Sequence, residues 1–493
     1  MNKDSIVPSH LKRIFNDNWN HVFIIDGLNE KSYTYKEFMN EILNHLEWLK
    51  SLNLKKDDTI CLLMNNSIEL IFLYFASLLF GLKVVPIDPI KGKQDIKEIL
   101  SLTEYSNVIT NTTECEFIAE KIEIKRKSTQ EDSLLQAALE HLDIFDDVDF
   151  NKEFLLTYTS GSTGVPKGVV HSFSNLYMSA IAFAKQFNFN KNHIFYHNLP
   201  MTYMAGILNQ IILPFLCESK IILGDRFTVS AIMRFWEKPI KYEVNVFWFI
   251  PTIVSLLTKL DRGSDGINFA KKIKILGCCG TAPLYSKSKE EFESKYNIKL
   301  YESYGLSETL FVSTNYPGND HSNCVGNPLD GVKLKFTTEN EILIKTPWNL
   351  IRYSNLDTKE YFVEEFFISG DIGKIEQNGT LYITDRKKDL IIHGGINISP
   401  KKIQDFLLNY NVFEEFVIVG VKDQILVEKI LCVFAANQNF KSEYIKTINR
   451  DLIEKQGQDY QIDEFVQMNS IPKNANGKID KPTIRKLYLE KKL

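Results

Sequence analysis

The chain has 493 residues, with 58 lysines and arginines against 62 aspartates and glutamates, and a formal net charge of −4. That length implies two or more packed domains, and 44% hydrophobic with 24% charged residues is a soluble globular composition, which excludes a disordered or fibrous chain. The near-neutral balance supplies no field for general nucleic-acid or anionic-membrane binding, so neither partner is expected.

The opening residues, MNKDSIVPSHLKRIFNDNW, carry no apolar stretch fit for a signal peptide. Residues 57–64 read as a short apolar strand, 67–80 as a helix and 82–89 as a strand ending at prolines. The run LIFLYFASLLF at 70–80 falls short of the roughly 20 apolar residues that span a bilayer. Gly81 follows it, so it reads as a buried helix and no membrane span is expected. An amphipathic helix at 93–104 and a strand at 107–111 complete a β-α-β-α-β rhythm, which implies a parallel sheet with helices on its faces. The rhythm returns at 193–200, 220–225, 244–260 and 272–280.

Beyond about residue 322 the texture changes to short alternating strands (331–336, 340–346, 373–384) with turn residues between them, as in a small antiparallel barrel or sheet. From Asp385 come a charged stretch, a Gly394-Gly395 turn, a helix at 400–408, strands at 415–421 and 430–436, and a further helix. That is enough for a separate α+β domain. Residues 461–493 hold seven Lys/Arg against four Asp/Glu, a local positive excess. Seven scattered cysteines (61, 115, 217, 278, 279, 324, 432) without a C-x-x-C pair imply reduced thiols, hence a cytoplasmic protein.

The strongest local signal is LLTYTSGSTGVPKGVVHS at 155–172. Four hydroxyls, three glycines and a lysine within Thr159–Gly168 follow an apolar strand. Glycines let consecutive backbone N–H groups converge on an anion, hydroxyls add neutral donors and Lys167 adds charge. The chemistry is that of a phosphate cradle. It is not a Walker A loop, because Pro166 stands where that pattern needs Gly and Gly168 where it needs Ser or Thr. The G-x-S-x-G nucleophile elbow is absent as well. His193 and His197 sit four apart, but HIFYH reads as a strand and lacks the Glu of H-E-x-x-H, so core or surface histidines are expected rather than metal ligands. Cys278-Cys279 has no basic neighbour in sequence to make it a nucleophile.

This loop resembles the signature loop of the adenylate-forming superfamily, which includes acyl-CoA synthetases, aryl-acid ligases, luciferases and peptide-synthetase adenylation domains. Further motifs follow in order over nearly the whole chain. GCCGTAPL (277–284) is similar to the family's Gly-Ala-Pro stretch, and YESYGLSET (301–309) to its Tyr-Gly-x-Thr-Glu motif. FFISGDIG (366–373) resembles the Gly-Asp motif, DRKKDLIIHGGINISP (385–400) the interdomain hinge, and IPKNANGKIDK (471–481) the C-terminal lysine motif.

The resemblance implies two steps: a carboxylate attacks the α-phosphate of ATP to give an acyl-adenylate and pyrophosphate, and a thiol then displaces AMP. It implies that Thr159, Ser160, Gly161, Ser162, Thr163, Gly164 and Lys167 hold the β- and γ-phosphates, and that Glu308 holds Mg2+, a hard cation that prefers carboxylate and phosphate oxygens. Ser307 keeps a hydroxyl for the α-phosphate. Tyr304 and Gly305, with Gly280, Thr281 and Ala282, surround the adenine. Asp371 accepts the ribose hydroxyls, a task for an ionised, acceptor-only group, and Arg386 adds a charged contact. Lys478 stabilises the charge that develops in adenylation. Lys388 is the expected hinge, and Gly394 and Gly395 the face met by the thiol. Tyr203, Gly206 and Phe249 are expected along the acyl pocket. ATP and Mg2+ are the implied cofactors and CoA the co-substrate.

The implied fold is α/β. A large N-terminal domain, 1–385, has parallel-type sheets with helices and a small β-barrel-like subdomain at about 322–385. A small mobile α+β C-terminal lid, 386–493, follows. Two departures bear on substrate and acceptor. LPMTYMAGI (199–207) has no acid to pair an α-ammonium, so a plain carboxylic acid, aliphatic or aromatic, fits better than an amino acid. PKKIQDF (400–406) lacks both carboxylates of the related Pro-x-Glu-Ile-Glu segment. The resulting expectation is an acid–CoA ligase. The alternatives are a stand-alone enzyme that loads the phosphopantetheine thiol of a carrier protein in trans, since no carrier domain follows residue 493, or a degenerate nucleotide-binding homologue without turnover.

Overall fold

The computed structural model describes residues 3–112, 118, 121–123, 142–159, 165–228, 230–410, 412–473 and 479–490. Contacts divide the chain into two compact units, Met1–Leu334 with Ile344–Phe367, and Lys335–Leu343 with Ile368–Leu493.

Two sheets build the first unit. One has nine strands in the order Asn327–Pro328, Leu310–Thr314, Leu300–Leu306, Leu276–Cys279, Val246–Phe249, Ile194–His197, Lys220–Leu223, Val22–Asp26 and Lys31–Thr34. The other has seven: Arg352–Tyr353, Lys167–Ser172, Glu153–Thr159, Lys83–Ile87, Thr59–Leu63, Asn107–Thr110 and Lys121–Glu123. The inner strands pair in parallel, as helix-linked strands must, while antiparallel hairpins stand toward the edges.

The expected β-α-β-α-β run is present as Thr59–Leu63, Ile68–Phe80, Lys83–Ile87, Lys93–Ser101 and Asn107–Thr110. Ser67 caps the first helix by accepting the Leu70 N–H, and Gly81 closes it in the left-handed region at φ 84°. Apart from the half-buried Glu69 in its first turn, its residues are buried from Ile68 to Leu78, as a nearly all-round apolar helix requires. The second helix stops at Ser101 rather than 104. There the Thr103 hydroxyl donates to the Ile99 carbonyl at 2.7 Å, a side-chain bond that competes with helical pairing.

Ile60, Leu62, Val84 and Leu155 of the seven-stranded sheet share one apolar core with Phe195, Ile221 and Phe247 of the nine-stranded sheet. Just past two parallel strand ends, Arg226 makes a two-pronged bridge to the buried Asp88 at 2.7 and 2.6 Å. A planar guanidinium matches a carboxylate in this way.

Lys333–Phe336, Glu341–Lys345, Phe366–Ile375 and Phe362–Val363 form a five-stranded sheet in which Leu381–Arg386 pairs with Phe366–Ile375. In the second unit, Ile396–Ile398, Ile391–His393, Val427–Ala436 and Phe413–Asp423 form a sheet, and Glu464–Gln467 pairs with Val427–Ala436. Helices Pro400–Leu407 and Glu443–Gln456 supply Ile403, Leu407, Ile448 and Leu452 to a core with Ile418 and Phe434. This is the α+β composition expected there. Among the described residues, no helix is long and apolar enough to cross a membrane. Six described cysteines are free and buried; Cys115 lies outside the described residues.

Candidate active site

The phosphate-cradle motif sits on a β-hairpin. Thr159, at the end of one strand, is the register partner of Lys167, at the start of the next. Ser160, Gly161, Ser162, Thr163 and Gly164 lie outside the described residues. A strand follows the motif where a Walker A loop has a helix, in agreement with the residues that break that pattern. The exit of the loop is clamped by Asn355, which accepts from the Gly168 N–H at 3.0 Å and donates to the Pro166 carbonyl at 2.8 Å. Gly168 is obligatory by space: a Cβ there would stand 2.0 Å from Ser354 Oγ and 2.9 Å from Leu156 Cδ1.

Glu308 belongs to the tight turn between Leu300–Leu306 and Leu310–Thr314. Its Oε1 accepts from the hydroxyl of Tyr353 at 2.8 Å. Tyr353 packs edge-on against Tyr361, with ring centroids 4.7 Å apart, and Lys167 Nζ stands 4.2 Å over the Tyr361 ring. Burial and the Glu308 charge push the Tyr353 hydroxyl well above the ordinary tyrosine range, so it is a fixed neutral donor. The same turn is held from behind by His171, which is fully buried and donates Nε2–H to the Ser307 carbonyl at 2.7 Å. Asn175 reaches His171 Nδ1 at 3.3 Å and the Asn349 carbonyl at 2.8 Å. Burial pushes His171 down to about 4, so the ring is neutral and its tautomer is set by that carbonyl. Thus Lys167, Ser307 and Glu308 are brought to one locality.

Gly280, Thr281 and Ala282 follow the carboxyl end of the parallel strand Leu276–Cys279, the end at which open α/β sheets bind ligands. The adjacent strand carries Ser303, whose hydroxyl donates to the Cys279 carbonyl at 3.1 Å, then the half-buried Tyr304 and the exposed Gly305. Tyr203 is half-buried and Gly206 buried; the Gly206 carbonyl accepts from His197 Nε2 at 3.2 Å. Phe249 is enclosed by Phe235, Phe247 and Phe292, an aromatic core contact. His197 is a fully buried neutral histidine, pushed by burial down to about 4. No cluster of metal-ligating side chains occurs among the described residues. Lys289 does come near Cys279, contrary to the sequence impression of no basic neighbour. Glu302 takes its charge at 3.3 Å, and burial holds the thiol far above its ordinary value.

In the second unit Asp371 is buried, and Arg386 Nε donates to its Oδ1 at 2.7 Å. The two are register partners in paired strands. Lys388 is exposed in the short turn Lys387–Asp389. Gly394 and Gly395 form a two-residue hairpin turn with φ of 58° and 87°, the double positive φ that a hairpin of this twist needs. Lys478 lies outside the described residues; its flanks Lys473 and Ile479 are joined by a β-bridge.

The residues fit a Mg2+-bound triphosphate. Glu308 has its second oxygen clear of the Tyr353 bond, Lys167 lies over the ring faces of Tyr361 and Tyr353, and the buried Ser354 hydroxyl beside Gly168 has no partner among the described residues. Tyr353, Tyr361, His171, Asn175 and Asn355 were not singled out from sequence. Only the loop's following VVHS lay inside a motif; the others come from segments without a local pattern.

A sequence profile described as AMP-binding enzyme matches residues 12–348. A 2-succinylbenzoate–CoA ligase of Bacillus subtilis is 26% identical over 410 residues, covering 80% of this chain and 81% of that protein. A malonate–CoA ligase of Arabidopsis thaliana is 28% identical over 365 residues, covering 67% of this chain and 60% of that protein. The solved o-succinylbenzoate coenzyme A synthetase of Bacillus subtilis, in complex with ATP and magnesium ion, shares the fold with a TM-score of 0.80 at 20% identity, over 97% of this chain and 99% of that one.

Proposed function

This chain belongs to the AMP-binding enzyme family, and from that premise we propose that it is an ATP-dependent acid–thiol ligase that joins a carboxylic acid to CoA. The observation that carries the reading is the convergence of Lys167, at the mouth of the hairpin loop, and Glu308 on the same buried tyrosine. A fixed cation and a fixed carboxylate at one place suit a triphosphate with its metal ion, which supplies charge neutralisation when bound.

In this mechanism a carboxylate oxygen of the acid bonds to the α-phosphorus while the bond from that phosphorus to the bridging oxygen breaks, and pyrophosphate leaves. Lys167 and the loop hydroxyls hold the departing phosphates, Ser307 the α-phosphate, and Glu308 the Mg2+. Lys478 balances the charge that builds on the α-phosphate oxygens. Tyr304 and the Gly280–Ala282 backbone orient adenine; Asp371, with Arg386, orients the ribose. The thiol sulfur then bonds to the acyl carbon, the carbon–oxygen bond to AMP breaks, and the thiol proton passes to solvent. We assign the pivot between the two half-reactions to Lys388, with a domain boundary at 385, and the thiol side to Gly394-Gly395.

The relatives bear CoA-ligase names, which favours CoA over a carrier protein as acceptor. They name different acids, so the acid is left as a small carboxylic acid without an α-ammonium. Acid-dependent ATP–pyrophosphate exchange across a panel of acids, followed by CoA challenge, tests the reading. Exchange with no acid in the panel, or an acyl-adenylate that CoA does not consume, would overturn it.

A further inference from the structure

Lys167 and Glu308 carry opposite charges and both lie against Tyr353, yet no ion pair joins them. Lys167 Nζ is 5.8 Å from the Tyr353 ring centroid and 4.2 Å from that of Tyr361. Glu308 Oε1 instead takes the Tyr353 hydroxyl at 2.8 Å. We propose that Tyr353 and Tyr361 are positioning residues that keep these two charges apart, so that the lysine and the carboxylate each remain available to Mg2+-bound ATP. The inference rests on the ligase reading above and adds two residues to it.

The wedge is rigid. Tyr353 is 2% exposed and its backbone pairs with Val169. Its N–H donates to Thr358 Oγ1 at 2.8 Å, and its neighbour Arg352 is held by Glu153 through two prongs. Val169, Leu350 and Phe367 pack around the ring, with Tyr361 against its edge. A lysine and a glutamate free to meet would neutralise each other, and a ligand would first have to break their bond. The two tyrosines substitute contacts that cost little to keep. A ring face attracts an ammonium without cancelling its charge. A phenol donates one hydrogen bond to one carboxylate oxygen and leaves the second free for a cation.

The test is binding rather than turnover: calorimetric titration of Mg2+–ATP, with electron paramagnetic resonance of Mn2+–ATP as a direct view of the metal. Tyr353→Phe removes one oxygen and should weaken metal-dependent ATP binding about tenfold, the usual effect of losing a hydrogen bond to a charged group. The melting midpoint should not move. Raising ionic strength should recover part of the loss, because salt screens the lysine–glutamate pair that the variant allows to form. In a Glu308→Gln background, Tyr353→Phe should cost nothing further. Tyr361→Leu, at a half-buried site, is the second variant: it should weaken Mg2+–ATP binding severalfold with the same relief by salt.

Tyr353→Phe binding within twofold of wild type, or an equal loss in the Glu308→Gln background, overturns the inference. So does unchanged binding by Tyr361→Leu. Wild-type protein that binds no Mg2+–ATP overturns the ligase reading itself. Normal wild-type binding with unaffected variants removes the tyrosine inference alone.

Discussion

Asp371 and Arg386 face each other across two paired strands, and the guanidinium Nε donates to the carboxylate at 2.7 Å from a side chain that is itself half in water. The Ser369 hydroxyl is accepted by the Ile342 carbonyl and in turn accepts the Asp371 N–H at 3.0 Å, so the backbone at Asp371 is fixed too. Under the ligase reading, this carboxylate would accept from the ribose hydroxyls.

Asp371→Asn keeps the shape and halves the acceptor capacity of this group. The variant should bind ATP about tenfold more weakly, as for lost hydrogen bonds to a charge. It should lose less than about 1 kcal/mol of stability, because Arg386 can turn to solvent. Equilibrium binding and a melting curve on the same sample check both halves.

Acid should destabilise the first unit through two buried histidines. His171 and His197 are both pushed down to about 4 by burial. Their unfolded values lie near 6.5, so below that pH the unfolded chain binds more protons. Their contribution is fully present above pH 6.5 and is lost as pH falls through about 4, by roughly 3 kcal/mol for each ring. His171→Gln should flatten the decline of the melting midpoint between pH 6.5 and 4; an unchanged slope would remove His171 as a cause.

Lys478→Ala should abolish acid-dependent pyrophosphate exchange, while thioester formation from supplied acyl-adenylate persists, because the charge it balances exists only in the first half-reaction. Exchange within threefold of wild type, a generous bound for a lost charge in a transition state, would remove the assignment.

Lys388→Pro addresses the pivot. Lys388 is exposed in a turn between the strands Leu381–Arg386 and Ile391–His393. Proline fixes φ there and restricts the preceding residue, so exchange should stay near normal while thioester output falls by orders of magnitude. Lys388→Ala should be mild in both. Equal losses in the two half-reactions of Lys388→Pro would show that no rotation at this residue is needed.

Substrate charge is the fifth expectation. Residues 199–207 contain no carboxylate, and the nearby segment is held by neutral groups: Asn66 at the Leu199 carbonyl, Tyr74 at the Met201 carbonyl and Gln210 at the Leu199 N–H. A simple carboxylic acid should turn over better than its α-amino analogue, whose buried ammonium would cost several kcal/mol unpaired. Competition between such a pair of acids in the exchange assay decides it.

Local pattern made the parallel β-α-β run legible, since Thr59–Leu63 and Lys83–Ile87 are continuous apolar strands and Ile68–Phe80 is bounded by a capping serine and a glycine. The motifs that contain Lys167, Glu308 and Asp371 are likewise local in sequence, which is what makes them visible there. Their supports are not. Tyr353 reaches Glu308 from 45 positions away and His171 reaches Ser307 from 136, and nothing in RYS or VVHS announces either contact. Helices Tyr35–Lys50 and Phe173–Phe187 likewise have no counterpart among the elements expected from sequence. The first opens on a Thr34–Glu37 capping box, a signal that was there to be read.

The Arg226–Asp88 bridge has a consequence for how the first unit comes apart. It joins strand ends of two different sheets that already share their apolar filling. Neither sheet can shed its partner without exposing that filling and stranding a largely buried carboxylate. Amide hydrogens of Lys83–Ile87 and Lys220–Leu223 should therefore exchange with deuterium at a common free energy of opening, as one cooperative block. Arg226→Ala should lower that shared value for both strands together, and leave the exchange of Phe413–Asp423 and Val427–Ala436 where it was.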